Sequence, residues 1–284
     1  MIVARDQTAL VVASQSGDLA ALQYLDNLEQ PSDMTPSANL SLLWANLPYI
    51  DRFDAAAAAG FTAVEVLAPY YMPAKETQNA LRRCGLRLTL MNAPPPSYTG
   101  APEGYAAIVD GKDRFQYDMR RSFRYVEALN VSFLHVMSGK ATGASALAAM
   151  IDNLRWATKA APKGLTLTIE PLCTEAKPGY FLNDYALAAD IIASVNADNL
   201  GLQFDSYHAQ MLHGDAVKVF QDYAPLIRHI QIGDTPTRSA PGTGDVNFSA
   251  LFEEIRASGY DGYIAGEYHP GGPTEDTLDW MQFS

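Results

Sequence analysis

The 284 residues contain only two cysteines, Cys84 and Cys173. Two are too few for a disulfide framework or a zinc cluster, and neither has a partner at C-x-x-C spacing. Free thiols and a cytoplasmic location are therefore expected. Long hydrophobic runs are also missing. No stretch approaches the roughly 18 apolar residues that a bilayer span needs, and no positively charged segment leads into an apolar one at the N-terminus. A soluble protein with no membrane partner is expected. Positive charge is scarce too: 20 Lys and Arg stand against 32 Asp and Glu, a formal net charge of −12. Such a field repels phosphate backbones, so nucleic acid is not an expected partner. No internal repeat, low-complexity tract or interdomain linker interrupts the chain.

What is present is a 48% hydrophobic composition, enough for a sizeable core in a length that one barrel domain can occupy. Residues 1–36 read differently from the rest. They have a polar start, a short helical pattern of Leu19, Leu22, Leu25 and Leu28, and a breaker-rich end, PSDMTPS. This segment is read as an N-terminal extension of no assigned role, with Met34 a candidate start of the minimal enzyme and residues 37–284 as the domain. From Ser37 onward, short β-type runs alternate with helical patterns, the rhythm of βαβ units. Strands are expected at Asn39–Leu42, Ala63–Val66, Leu86–Met91, Phe133–Met137, Leu165–Glu170, Leu200–Asp205, Ile227–Ile232 and Tyr263–Glu267. Helices are expected at Tyr49–Ala59, Arg114–Leu129, Ala144–Ala160, Asp184–Val195 and Phe248–Ala257. Eight strands, each followed by a helix, predict an α/β fold, a (β/α)8 TIM barrel. The stretch Asn92–Asp113, rich in proline and glycine, is a candidate lid or binding loop.

In such a barrel one strand parity faces the helices and the other points inward, with sites at the C-terminal strand ends. In LTLTIE the apolar Leu165, Leu167 and Ile169 share one side, leaving Thr166, Thr168 and Glu170 on the other. The same test turns Gly201, Gln203 and Asp205 inward, then His229 and Gln231, then Tyr263, Ala265 and Glu267. Glu170, Asp205, Gln231 and Glu267 are separated by 35, 26 and 36 residues, close to one βα unit each, so they converge from successive strands. A lone acid at a strand end is more often a helix N-cap; four polar groups in phase are not explained that way. Three carboxylates brought together resist ionisation unless positive charge joins them. One divalent metal would supply it. Oxygen ligands without cysteine suit Mg or Mn, and Mn gains if a histidine nitrogen takes part.

The blocks TIEP, QFDSYHAQ, HIQIGDTPTRSAPGTGDVNF and GEYHP, in that order, resemble the hydroxypyruvate isomerase family of the xylose-isomerase-like barrel superfamily. So do SANLSLL, AAAAGFTAVEVLAPY and SGKATG, and the likeness extends from Ser37 to Trp280. It implies that Glu170, Asp205, Gln231 and Glu267 hold the metal and that Glu170 and Glu267 give and take the proton. Related sugar epimerases usually carry histidine where Gln231 stands, which favours the hydroxypyruvate branch. His208, three residues after Asp205, is a candidate hydrogen-bond donor to substrate, or else a solvated loop histidine. Arg238 is a candidate fork onto a substrate carboxylate, or else solvent-facing. Lys140 and Asn92 are read equally as substrate contacts or structural residues. His135 lines the pocket or is a satisfied core histidine, and His229 belongs to a deeper barrel layer.

The chemistry that this implies is an isomerisation. An α-hydroxycarbonyl chelates the ion, one carboxylate removes the activated C–H proton, and a second returns it to the adjacent carbon. Hydroxypyruvate would give tartronate semialdehyde, with Arg238 or Lys140 offsetting its carboxylate, and a 2-oxo-tetronate is a close variant. The expected partner is thus a small keto or hydroxy acid or short sugar; a homo-oligomer is left open. The alternatives are a ketose 3-epimerase with the same apparatus, a barrel endonuclease, and a sugar-binding protein without turnover. The endonuclease needs several metals and many histidines, against five here.

Overall fold

The computed structural model describes residues 34–94 and 103–282. Strands β1 Thr35–Asn39, β2 Ala63–Glu65, β3 Arg87–Ala93, β4 Phe133–Val136, β5 Thr166–Ile169, β6 Leu200–Asp205, β7 Ile227–Ile232 and β8 Tyr263–Gly266 pair in chain order. All pairs are parallel, and β1 meets β8 to close the ring, with Thr35 opposite Tyr263. Between the strands run α1 Asp51–Ala58, α2 Ala74–Cys84, α3 Lys112–Leu129, α4 Ala144–Ala160, α5 Tyr185–Val195, α6 Ser206–His213, α7 Ala216–Tyr223 and α8 Phe248–Ala257. The expected (β/α)8 barrel is the observed fold, although β6 is followed by two α-helices and β8, among the described residues, by two 3-10 turns in place of a helix.

Local chemistry sets the helix ends. Asp184, Asp205, Asp215 and Asn247 each accept a backbone N–H of the first turn that follows them, satisfying donors that a helix start leaves open. Helices α2 and α6 stop at Gly85 and Gly214, both left-handed, the conformation that glycine adopts without strain.

The outward strand residues Val64, Leu88, Leu134, Leu167, Leu202, Ile230 and Ile264 are fully buried beneath the helices. The interior is polar instead: Ser37, Asn39, Glu65, Thr89, Thr168, Gln203, Asp205, His229 and Gln231 are all buried, and Asn39, Glu65, His229, Gln231, Gln203 and Thr168 form one hydrogen-bonded series.

One strand lies elsewhere than expected. The first strand is Thr35–Asn39, not Asn39–Leu42, so two residues assigned to the extension, Thr35 and Pro36, belong to the barrel. Pro36 was read as a breaker, but its missing N–H points toward β2, whose pairing begins only at Ser37 opposite Ala63. No ladder bond is lost there. The apolar run Leu40 to Trp44 forms a turn that buries Leu40, Leu43 and Trp44 instead. The remainder of the extension, residues 1–33, lies outside the described residues, as does 95–102 of the candidate lid. The described part of that loop docks on the turn after β4, where the Ala107 N–H donates to the Ser138 carbonyl. Gly104 approaches so closely that a Cβ there would stand 2.3 Å from the Met137 carbonyl oxygen.

Candidate active site

Glu170 follows β5, Asp205 ends β6, Gln231 lies in β7 and Glu267 follows β8, and all four are buried. Asp205 serves two ends. Its Oδ1 accepts the Tyr207 N–H at 2.8 Å, capping α6, while its Oδ2 meets the Arg238 guanidinium. Asp205 is thus both a helix cap and a member of the buried carboxylate cluster.

Arg238 lies among the carboxylates. Its Nη2 bridges Asp205 Oδ2 and, at 3.1 Å, Glu267 Oε1. Its Nε donates to the Glu267 backbone carbonyl at 3.0 Å, its Nη1 is 3.0 Å from His208 Nε2, and the guanidinium lies over the Tyr207 ring. The loop carrying it is folded around Asp234, whose carboxylate accepts the N–H groups of Thr235, Gly242, Gly244 and Val246. A side chain at Gly244 would bring a Cβ to 1.8 Å from the Thr235 carbonyl oxygen, so the loop needs glycine there. Arg238 itself is held at φ +54°, a conformation costly to non-glycine residues.

His208 stands in the first turn of α6, three residues after Asp205. Its Nδ1 accepts the Cys173 N–H at 3.0 Å, and its Nε2 is 3.9 Å from both Glu170 Oε1 and Asp205 Oδ2. One ligand atom each from Glu170, Asp205 and His208 lie within 4.8 Å of one another. On the other side, His135 Nδ1 is 3.3 Å from Glu170 Oε2. Asn92 sits in register with His135; its Oδ1 and the His135 Nε2 are buried without a partner. Lys140 stands apart, exposed, its backbone paired with Tyr180. Lys177 pairs with Glu103, and its charge adds slightly to the lowering of His208.

Burial governs the protonation of this cluster. It raises Glu170 well above the usual carboxylate range, helped by the charges of Asp205 and Glu267. It pushes Glu267 up to about 8 although Arg238 opposes it, and it raises Asp205 against the same arginine. Burial also lowers His135 to about 3 and His208 well below its ordinary value, with Arg238 adding to the effect. Both imidazoles are therefore neutral at pH 7. For Arg238, burial disfavours the charge, but Asp205, Glu267 and Glu170 outweigh it and raise the pKa.

Beneath the cluster the inward residues Gln203, Gln231 and His229 join Glu65, which parity did not single out. Gln203 donates to Glu170, Gln231 donates to Glu65, and Glu65 pairs with His229. A groove of about 840 Å³ opens at the opposite, N-terminal end of the barrel between Phe133, Ile227, Arg228 and Tyr263. The titratable cluster is at the C-terminal strand ends, where barrels of this kind place their chemistry.

Residues 53–283 match the family model of the xylose isomerase-like TIM barrel. The chain belongs to the xylose isomerase-like TIM barrel family. Within it, the sequence is 39% identical over 252 residues to a 2-oxo-tetronate isomerase of Cupriavidus necator, covering 87% of this chain and 96% of that protein. It is 34% identical over 250 residues to the hydroxypyruvate isomerase of Escherichia coli, covering 86% and 97%. A crystal structure from Brucella melitensis named as an AP endonuclease of family 2 superposes with a TM-score of 0.83 at 34% identity, covering 87% and 98%. A D-allulose 3-epimerase from Methylomonas shares the fold, with a TM-score of 0.69 at 20% identity, covering 88% and 90%. The family's curated isomerases align over nearly their whole length, and this barrel is an isomerase. Among the described residues no helix is long and apolar enough to cross a membrane.

Proposed function

We propose that this barrel interconverts a short 2-oxo sugar acid and its isomer by moving one proton between neighbouring carbons. A 2-oxo-tetronate or hydroxypyruvate is the substrate, and Glu170 and Glu267 are the two proton carriers. The observation that carries this reading is the pair of buried glutamates in one cluster with Asp205 and Arg238, Glu170 raised well above the usual carboxylate range and Glu267 pushed up to about 8. A carboxyl titrating near the working pH can both give and take a proton, which ordinary carboxylates do poorly. Arg238 supplies a fork that fits the carboxylate of an oxo acid, and its release from Asp205 would free that carboxylate. Neutral His208 offers Nε2 to a substrate oxygen.

The donor set also fits a divalent ion. Three carboxylates stand against one guanidinium, so positive charge is in deficit, and Glu170, Asp205 and His208 converge with oxygen and nitrogen donors. Mg or Mn would be held by these residues together with Glu267, and by Gln231 only through the oxygen that here also accepts from Gln203 at 2.7 Å. When bound, such an ion would polarise the substrate carbonyl and acidify the neighbouring C–H bond. The protein's own part is to hold the glutamates dry, orient the substrate carboxylate on Arg238 and carry the proton. The acidic chain speaks against a nucleic-acid partner, while Arg238 is the cation that a small substrate carboxylate would meet in the cluster.

The test is proton NMR in deuterated water with Mn- or Mg-loaded protein and a panel of short oxo acids and ketoses. Solvent deuterium should appear in a 2-oxo acid and its isomer. Exchange confined to C3 of a ketose would replace this reading with the epimerase one. Asp205→Ala should lose the thermal stabilisation that added Mn confers on the native state.

A further inference from the structure

Carboxamide oxygen and nitrogen have nearly the same shape and opposite hydrogen-bonding character, so a buried glutamine is oriented only by its neighbours. Inside this barrel the neighbours form an unbroken series. Glu65 on β2 takes the His229 imidazole on Oε1 and accepts the Asn39 and Gln231 amides on Oε2 at 3.0 and 2.8 Å. A carboxylate accepts only, so Gln231 must turn its nitrogen toward Glu65 and its oxygen away. That oxygen accepts from Gln203 Nε2 at 2.7 Å. The same Nε2 donates to Glu170 Oε2 at 2.9 Å, and the Gln203 oxygen is held by the Thr168 hydroxyl at 2.8 Å. Orientation is thus handed from β2 through β7 and β6 to Glu170 at the end of β5, through groups that are all buried.

We propose that Gln203 is a positioning residue for the isomerisation: its amide, oriented by Glu65 through Gln231 and by Thr168, pins Glu170 Oε2 and leaves Oε1 as the oxygen that handles the proton. The inference rests on Glu170 being a proton carrier. The two oxygens of Glu170 have distinct surroundings. Oε2 meets Gln203 at 2.9 Å and His135 at 3.3 Å, whereas Oε1 faces His208 Nε2 at 3.9 Å, on the side of Asp205. An unpinned carboxylate swings, and a reacting group held off its productive orientation loses rate without losing substrate binding.

Three variants test this. Gln203→Met keeps the length of the side chain and removes the donor. Gln203→Glu sets an acceptor against both Glu170 Oε2 and Gln231 Oε1. Thr168→Val, which has no hydrogen bond to Glu170 or Gln231, removes the donor that holds the Gln203 oxygen and so loosens the amide. The two Gln203 variants should lower kcat by about 10- to 100-fold, with KM within about twofold of the parent. Thr168→Val should move kcat in the same direction by a smaller factor. All three should keep a cooperative thermal transition. The readout independent of turnover is the ¹⁵N side-chain amide spectrum of the substrate-free protein, in which the Gln231 resonances should shift in each variant. Unchanged Gln231 resonances, or folded Gln203 variants with parental kcat, would overturn the positioning role. If the parent protein turns over no oxo acid but the Gln231 resonances respond as stated, the reaction assignment falls and the amide relay stands.

Discussion

Glu65 and Glu170 lie in the same barrel, one low and one at the rim, and both are buried, yet their charges are met differently. Glu65 is matched by three N–H donors from Asn39, His229 and Gln231. Asp205 and Glu267 contact one guanidinium, which Glu170 feels only at longer range, and all three are raised above the ordinary carboxylate range. The lower carboxylate is saturated, so it holds the barrel interior together. The upper three are under-compensated, and that deficit is what a proton, a cation or a substrate can fill. Burial alone does not mark a functional carboxylate; the balance of donors against carboxylates does.

The largest effect should come from neutralising the upper group. Glu170→Gln and Glu267→Gln each keep shape and should cut kcat by about 10²–10⁴-fold, as for a missing general acid or base. The double variant should be little worse than either single one, because the two act as a unit. Their melting temperatures should hold or rise as like charges leave the cluster. Near-parental turnover in either variant, measured at saturating Mn, would remove that glutamate from the reaction. The same change made below should behave in the opposite way. Glu65→Leu leaves His229, Asn39 and Gln231 without their acceptor and should cost about 3–5 kcal/mol of stability, the scale for breaking a buried pair, read by denaturant unfolding. A loss under about 1 kcal/mol would erase the contrast between the two layers.

A pH series sharpens the comparison further. Glu267 titrates at about 8 in the fold against an ordinary value of 4.5, so between those limits the native state keeps a proton that the unfolded chain releases. The contribution of this group to stability is therefore fully present below about pH 4.5 and is lost as pH rises through about 8. Thermal melts of chelator-treated protein should show this decline, and Glu267→Gln should flatten it. A parent protein equally stable at pH 5 and pH 8 would contradict the proposed deficit. The smallest effect is expected outside both layers: a chain starting at Met34 keeps every residue of β1 and should retain parental kcat.

Much of this was legible in the sequence because alternation in the later strands is clean. Parity in LTLTIE, LGLQFD and RHIQI turned Glu170, Gln203, Asp205, His229 and Gln231 inward, and each is buried in the structure. Parity fails where strands are short. With three residues, β2 gives too few alternations to show that Glu65 faces in. Pro36 hid β1, since a proline at a strand's unpaired side looks like one in a linker. Arg238 was visible as a cation, but its bridge to Asp205 and Glu267 depends on a loop wrapped around Asp234, a tertiary arrangement with no local signature. A signal for grouping His208 with Asp205 was present: residues three apart in the first turn of a helix share a face, and their nearest ligand atoms are 3.9 Å apart.

The closure of the ring by β1 against β8 also fixes when, during synthesis, this protein becomes itself. Strand Thr35–Asn39 leaves the ribosome early and has no neighbour on one side until Tyr263–Gly266 arrives, so the nascent sheet carries two open edges, the hazard of slow, non-local topologies. Glu267 follows directly on that last strand. The segment that seals the barrel thus also carries the last carboxylate of the cluster, and a chain that stops before β8 lacks the closing strand and Glu267 together.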